Sequence, residues 1–420
     1  MGLILGLDIC DDYSQISSYD RIAGKAIPVN VSAEGSSERI PTVICKKKGE
    51  NEWMIGQEAF RAALLASGTV VDRLVKLVVK GGTATLEGTK YRAEALLTEF
   101  IRKLVDAARR ENGTDEVDSL VFTVHETGIR INDALIHAAE NIGIDRENVH
   151  VYSHTECYTY YVLSQNADIW TNQVSLFDLR EDGLFYYEMR AIRGRKPLLI
   201  EASREKLPDG FNIDILSSPG GEKMADTILS ACAKRVMEGK IISSVILTGR
   251  GFTITDWAGE FLKRICVNRR RVFQASEIFA EGAAYAAFDL AEENSQYPYI
   301  IVCDGRIAST VTLEAICDGR NEKVLLAEVG TNWYEASSAA TFILDDIHEI
   351  ELTISPAFSN KNQTKTITLD ELPARPNKAT RIELVISFSS EKHMTVRIID
   401  QGFGDIFPSS GKVIRQDFTI

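Results

Sequence analysis

Cysteine pairs, a surplus of positive charge and long apolar runs are all missing from this 420-residue chain. Its seven cysteines (Cys10, Cys45, Cys157, Cys232, Cys266, Cys303 and Cys317) are odd in number and scattered, without a CxxC pair or a histidine nearby at metal-ligand spacing. Free thiols in a reducing compartment are the expected state. Net charge is −13, the wrong sign for a general binder of phosphate backbones, so nucleic acid is not an expected partner. The Arg269-Arg270-Arg271 run reads as a solvated turn or helix end. No segment approaches the ~18 apolar residues of a membrane span. The start, MGLILGLD, lacks the basic region and apolar length of a signal peptide. A cytoplasmic protein is expected, with neither nucleic acid nor membrane as partner.

What is present is an alternation of strands and helices. Leu3 to Ile9 reads as a buried strand carrying one aspartate, with a second strand near Gln15 to Tyr19. Ala95, Leu96, Phe100, Ile101, Leu104 and Val105 recur at helical spacing within Tyr91 to Arg110. Ser119 to Val124 is an apolar run of the buried parallel type. A helix from Ile131 to Ile142 leads through Gly143 into another strand, NVHVYS. The plan restarts with VSLFDL (Val174 to Leu179) and LFYYEM (Leu184 to Met189), a hairpin around an Arg-Glu-Asp-Gly turn. A helix over Gly221 to Met237, a strand over Ser243 to Gly249, and helices over Asp256 to Cys266 and Ser276 to Phe288 follow. Strand, helix and strand in that order predict α/β architecture. Two halves that each open on hairpin, aspartate and turn predict an internal duplication with a cleft between two lobes.

After about residue 297 the pattern becomes one of strands only. Asp304-Gly305 and Asp318-Gly319 each follow an apolar strand and read as hairpin turns. EIELTIS, KTITLD, RIELVISF and MTVRIID alternate in the manner of half-buried strands, predicting a β-sandwich. The expected division is 1–165 for the first lobe, 166–296 for the second and 297–420 for the β-domain.

With those segments in order, the chain resembles the DnaK-type heat-shock chaperones of the actin-like ATPase superfamily. GLDICDDYSQISSY resembles that family's first phosphate hairpin and VSLFDLREDG its second. SVILTGRGF is similar to the adenosine strand and turn, EIFAEGAAYAAF to the closing helix, and KTITLDELPARPNKATRIELVISF to the substrate-binding β-domain. The resemblance implies a two-lobed, ribonuclease H-like ATPase fold followed by a β-sandwich. It places Asp8 and Asp178 on the two acidic positions that hold Mg²⁺ and its waters, and Gly249 and Gly282 beside the adenosine, as a vestigial nucleotide cleft.

Most other family positions depart. Glycine and threonines after the first aspartate are Cys10, Asp11 and Asp12; the glycines after the second are Arg180, Glu181 and Asp182. Leu74 stands where the family has its catalytic lysine, with Lys76 two residues on, and His154 stands for a glutamate. Too few residues lie between Gly221 and Ser243 for the family's adenine-stacking subdomain, and the chain ends without its helical lid. Glycine lets backbone N–H groups approach phosphate; side chains there add bulk and charge. Two like charges ~5 Å apart at an effective dielectric of ~20 repel by roughly 3 kcal/mol, whereas a micromolar ligand has only about 8 kcal/mol of binding free energy. Three readings of the acidic turns stay open: solvated turn residues, a hard-cation site of Asp8, Asp11, Asp12 and Asp178, and residual binding of ATP with Mg²⁺.

No catalytic residue and no cofactor are expected. Glu156, next to His154 and Cys157, reads as part of a helix cap rather than a dyad. His125 and His348 read as structural or surface residues, and Tyr158, Tyr160 and Tyr161 as packing between lobes. Trp333 and Tyr334 fall where the chaperone family's peptide groove would lie; they are core or candidate partner-binding residues. The expected function is a chaperone-like, protein-binding or scaffold protein with an inactive ATPase site, its partner a protein, a peptide or a true chaperone. A divergent ATP-dependent chaperone or actin-like ATPase, and a cation sensor, are the alternatives.

Overall fold

The computed structural model describes residues 2–31, 39–194, 196–208 and 210–420. It is a mixed α/β structure with several sheets, and the chain divides into two units, Met1–Tyr299 and Ile300–Ile420. The duplication expected within the first unit is visible as two sheets of one plan. In the first the strand order is Val149–Ser153, Val117–Val124, Leu3–Ile9, Tyr13–Asp20 and Lys25–Pro28. In the second it is Arg271–Gln274, Ile242–Thr248, Gln173–Arg180, Gly183–Ile192 and Leu198–Lys206. Numbered along the chain within each sheet, these strands run fifth, fourth, first, second, third. In both, the first strand is parallel to the fourth and antiparallel to the second.

The central strands form where the sequence is dominated by apolar residues, each run broken by one aspartate, Asp8 or Asp178. Every residue of Leu3–Ile9 is buried, and six of the eight in Gln173–Arg180. The registers match as well: Asp8 lies beside Thr123 on its parallel neighbour, and Asp178 beside Thr248 on its own. Helix Ile278–Ala291 crosses helix His154–Ser164 at Gly282, where an added Cβ would come 1.9 Å from the Cys157 carbonyl oxygen. Only glycine fits there, so the value of Gly282 in this fold is close helix packing.

Several elements end by long-range contacts. The helix expected over Asp256 to Cys266 is confined to Gly259–Ile265, and Asp226, on helix Gly221–Met237, accepts hydrogen bonds from the backbone N–H groups of Glu260 (2.7 Å) and Phe261 (2.8 Å). Four residues, 238–241, link helix Gly221–Met237 to strand Ile242–Thr248. Arg269 sits in a turn with φ of +60°. No helix among the described residues is long and apolar enough to cross a membrane, and all seven cysteines are free.

The second unit has two antiparallel four-stranded sheets. One runs Arg320–Ala327, Ser309–Cys317, Glu349–Pro356, Gln363–Thr368; the other runs Ser338–Ile343, Arg381–Ser390, His393–Gly402, Val413–Thr419. Alternate residues of both, among them Val311, Leu352, Ile354, Leu384, Ile386 and Ile398, join one apolar cluster. Asp318-Gly319 forms the expected two-residue turn, with φ of +50° and +77°, the handedness that suits strand twist. Asp304-Gly305 does not. Its segment instead accepts from Trp333, whose N–H donates to the Gly305 carbonyl at 3.1 Å. Trp333 is 2% exposed and lies in the core with Tyr334 packed against it. Of the two readings left open for Trp333, core packing is the one its burial supports, and so little exposed indole leaves no face for a partner.

Candidate functional site: a charged cleft in the first unit

Because the two sheets share one plan, their first strands carry Asp8 and Asp178 to equivalent ends. Both carboxylates are buried, at 5% and 1% exposure, and both line one cavity with Cys10, Asp12, Arg39, Arg180, Thr248, Gly249 and Phe279. The cavity holds about 50 Å³, well below the roughly 300–1,000 Å³ of ordinary small-molecule sites. Gly249, directly after strand Ile242–Thr248, has φ of +88°, and a Cβ there would lie 2.5 Å from Asp178 Oδ1. Asp8, Asp178 and Gly249 thus line one cavity. Gly282 does not line the cavity.

The two aspartates are held differently. Asp8 Oδ1 lies 2.7 Å from His154 Nε2 and accepts from Cys10 Sγ at 3.3 Å; Cys10 Sγ lies 3.7 Å from the same His154 nitrogen. His154 is the first residue of helix His154–Ser164, and its ring stacks on Phe279 at 3.9 Å and 9°. The helix is capped beside it by the expected device: Ser153 and Glu156 form a capping box, with Glu156 accepting from the Ser153 N–H at 2.7 Å. His154 is left to reach into the cleft. Asp178 Oδ2, by contrast, is buried without a hydrogen-bond partner.

Arg180 is the only cationic side chain in the cavity lining besides Arg39 and Arg250 among the described residues, and its own side chain is 12% exposed. It donates through Nη2 to Asp12 Oδ1 (3.4 Å) and through Nη1 to His125 Nδ1 (3.4 Å), and its Nε stands 3.7 Å from Asp182. His125 is half-buried, and its ring packs edge-on against Phe185 at 4.5 Å. Glu181, beside Arg180, pairs outward with Arg250.

Titration follows this arrangement. Burial pushes the carboxyls of both Asp8 and Asp178 up to about 7, with the Arg180 charge opposing the rise. Burial, then the Arg180 charge among others, holds His154 well below the usual imidazole range; burial and then His154 do the same to His125. Burial also raises the Cys10 thiol. The burial that raises these acids and lowers these imidazoles favours their uncharged forms around the Arg180 guanidinium.

The four-carboxylate cation site expected from Asp8, Asp11, Asp12 and Asp178 is not assembled among the described residues. The one group there with metal-ligand geometry is Asp8, Cys10 and His154. Neighbouring turn residues diverge: Asp12 accepts from the Tyr13 N–H (2.9 Å), while Asp11 turns away to accept the backbone N–H of Lys76 at 2.9 Å. Lys76 leaves its ammonium 3.6 Å from Asp11. The sequence gives no local sign of the Asp8–Cys10–His154 group because 146 positions separate its two most distant members, Asp8 and His154. The available signal was the bulky Cys10 and the imidazole at His154, both where the resembled family has other residues.

By fold and site, then, the first unit is a duplicated α/β body that buries two equivalent aspartates in a small charged cleft. Residues 26–304 match the family model described as the C-terminal part of a family of unknown function, DUF5716, and residues 306–420 match a domain of unknown function, DUF8552. The first match covers more than half of the chain, which belongs to the DUF5716 C-terminal family. The junction of the two matches falls beside the division at Tyr299 and Ile300. No curated protein matches the chain.

Proposed function

We propose that this chain is a chaperone-like, protein-binding scaffold: a two-lobed actin-like body of the DnaK type with a lapsed nucleotide site, followed by a β-sandwich that holds a protein partner. The repeated strand order and the paired Asp8 and Asp178 support the ancestry. The observation that carries the loss of nucleotide is Arg180. Its guanidinium occupies, among Asp8, Asp12 and Asp178, ground that a phosphate tail with its cation would need, and about 50 Å³ remains.

The residues present do not fit a hard divalent cation. Mg²⁺ asks for near-octahedral oxygen ligands, whereas Asp8 is bonded to an imidazole and a thiol and Asp178 faces a guanidinium. Without nucleotide there is no ligand whose differential affinity could switch two lobes between states. Binding of the partner is then constitutive. Edge strands of the second unit, such as Gln363–Thr368 and Val413–Thr419, offer unpaired backbone groups for an extended peptide to add a strand.

Titration calorimetry with ATP and Mg²⁺ tests the reading: no heat of binding and no phosphate release are expected, and affinity capture should lose its partner when residues 300–420 are removed. Saturable ATP binding that disappears in Asp8→Ala would instead establish a divergent ATPase.

A further inference from the structure

The first cleft aspartate sits in a donor set that neither a nucleotide site nor a solvated turn requires. Carboxylate, thiol and imidazole converge from two segments, the end of strand Leu3–Ile9 with the residue just after it and the first residue of helix His154–Ser164. Their donor atoms all lie within 4.8 Å of one another, and all three residues are buried. A tetrahedral zinc site with Zn–S of ~2.3 Å and Zn–N or Zn–O of ~2.1 Å sets its donors roughly 3.4–3.6 Å apart. The observed separations are 3.7 Å (Cys10 to His154), 3.3 Å (Cys10 to Asp8) and 2.7 Å (Asp8 to His154). Two already match, and only the hydrogen-bonded pair must open, by about 0.7 Å against that spacing.

We propose that Asp8 Oδ1, Cys10 Sγ and His154 Nε2 bind one borderline-soft divalent cation of the zinc class, with the fourth position open to the cleft.

Chemistry selects the metal. Thiolate and imidazole suit Zn²⁺ or Co²⁺ and not Mg²⁺ or Ca²⁺, which take oxygen donors. Three protein ligands and an open position form the arrangement that admits water. The cavity that Asp8 and Cys10 line, at about 50 Å³, has room for one.

Charge and unmet bonding point the same way. Asp178, 1% exposed, lines this cavity with Oδ2 buried and lacking a hydrogen-bond donor. A metal-bound water supplies such a donor. Loading converts the Cys10 thiol to thiolate and the Asp8 carboxyl to carboxylate, their protons leaving to solvent, and His154 ligates as the neutral imidazole through Nε2 with its one proton on Nδ1. Two negative ligands then neutralise the cation, and Arg180 stays balanced by Asp12 and Asp178. His154 Nδ1 has no hydrogen-bond partner. Outer bonds of that kind are worth roughly 10–100-fold in metal affinity, so this site binds correspondingly more weakly than a zinc centre with a complete second shell.

The test is titration of the full-length, chelator-treated chain with Co²⁺ alone. The expected result is a thiolate-to-cobalt charge-transfer band saturating at one equivalent and abolished by Zn²⁺. It should persist in Cys266→Ser, which removes the exposed thiol, and vanish in the near-isosteric Cys10→Ser. In His154→Gln the band should shift or weaken at least tenfold in apparent affinity. Far-ultraviolet circular dichroism checks that each variant is folded, and if Cys10→Ser is not, His154→Gln decides alone. Absence of a band in the parent chain, a band unchanged in Cys10→Ser and His154→Gln, or a band lost in Cys266→Ser would each overturn the proposal.

Discussion

Each unit of this protein buries an arginine against aspartate, and the two are buried in opposite ways. In the second unit Arg375 makes a two-pronged pair with Asp400, at 2.7 Å on both oxygens, with side chains 6% and 0% exposed. Asp400 also accepts the N–H groups of Gly402 (3.0 Å) and Ser410 (2.8 Å), so both its oxygens have more than one donor. In the first unit Arg180 is shared among Asp12, Asp182 and His125 at 3.4–3.7 Å, and Asp178 keeps an oxygen without a partner. A buried ion pair kept for architecture is fully satisfied, because an unmet charge in a low dielectric is costly. The cleft tolerates the incomplete arrangement. That asymmetry separates a structural pair from the remains of a site.

The sharpest test of the contrast is to remove each cation in turn. Arg375→Met leaves Asp400 buried and uncompensated, and about 3–5 kcal/mol of stability should be lost in urea unfolding. The Arg375 hydrogen bonds hold the Asp400 carboxyl well below its usual range. A depressed carboxyl gives stability that is present above the unfolded value and fades only as pH falls through the folded one. The loss should therefore stay constant between pH 5 and 8. A loss under about 1 kcal/mol would show that the pair is solvated and would dissolve the comparison.

Arg180→Met should cost less, about 2–3 kcal/mol at pH 8, and its cost should depend on pH. The carboxyls of Asp8 and Asp178 lie raised, at about 7. For raised carboxyls the sign reverses: their favourable contribution is full below about pH 4 and is lost as pH rises through about 7. At pH 5 both are protonated in the folded chain and need Arg180 little, so the cost of the substitution should shrink there. Each group can change stability by at most ~1.4 kcal/mol per pH unit. A cost equal at pH 5 and pH 8 would mean that Arg180 serves only its packing and its contact with Asp12.

Features written in short stretches were legible from sequence. The helix Gly221–Met237 ends where its apolar periodicity ends, and the strands Leu3–Ile9 and Gln173–Arg180 are each built on apolar residues around one aspartate. The duplication was visible because two hairpins repeat an aspartate at one point of one plan. Long-range outcomes were not. Asp304-Gly305 and Asp318-Gly319 carry the same local turn signal, and only the latter has a following strand free to pair back; the former is taken by Trp333. The carboxylate cluster looked plausible because Asp11 and Asp12 are adjacent, yet consecutive side chains of a turn point apart. His154 was legible as a residue of a capped helix start and not as the partner of Asp8, since no local pattern encodes a contact across two segments of a folded sheet.

The smallest expected effect concerns Asp11, whose charge at first reads as one more repulsion in a phosphate turn. Helix Leu74–Val79 begins after Arg73, which has φ of +51° and gives no side-chain cap. Asp11 supplies the missing acceptor from 65 residues away, to the N–H of Lys76, the third helical residue. The geometry is that of an N-cap delivered in trans, where a negative charge also favours the helix dipole. Asp11→Ala should thus destabilise the chain by about 1 kcal/mol in urea unfolding, while Asp11→Asn, which keeps the acceptor, should recover most of the loss. Were the acidic turn governed by mutual repulsion, both substitutions would stabilise the protein alike. A raised midpoint in Asp11→Ala would return Asp11 from helix capping to the repulsive cluster.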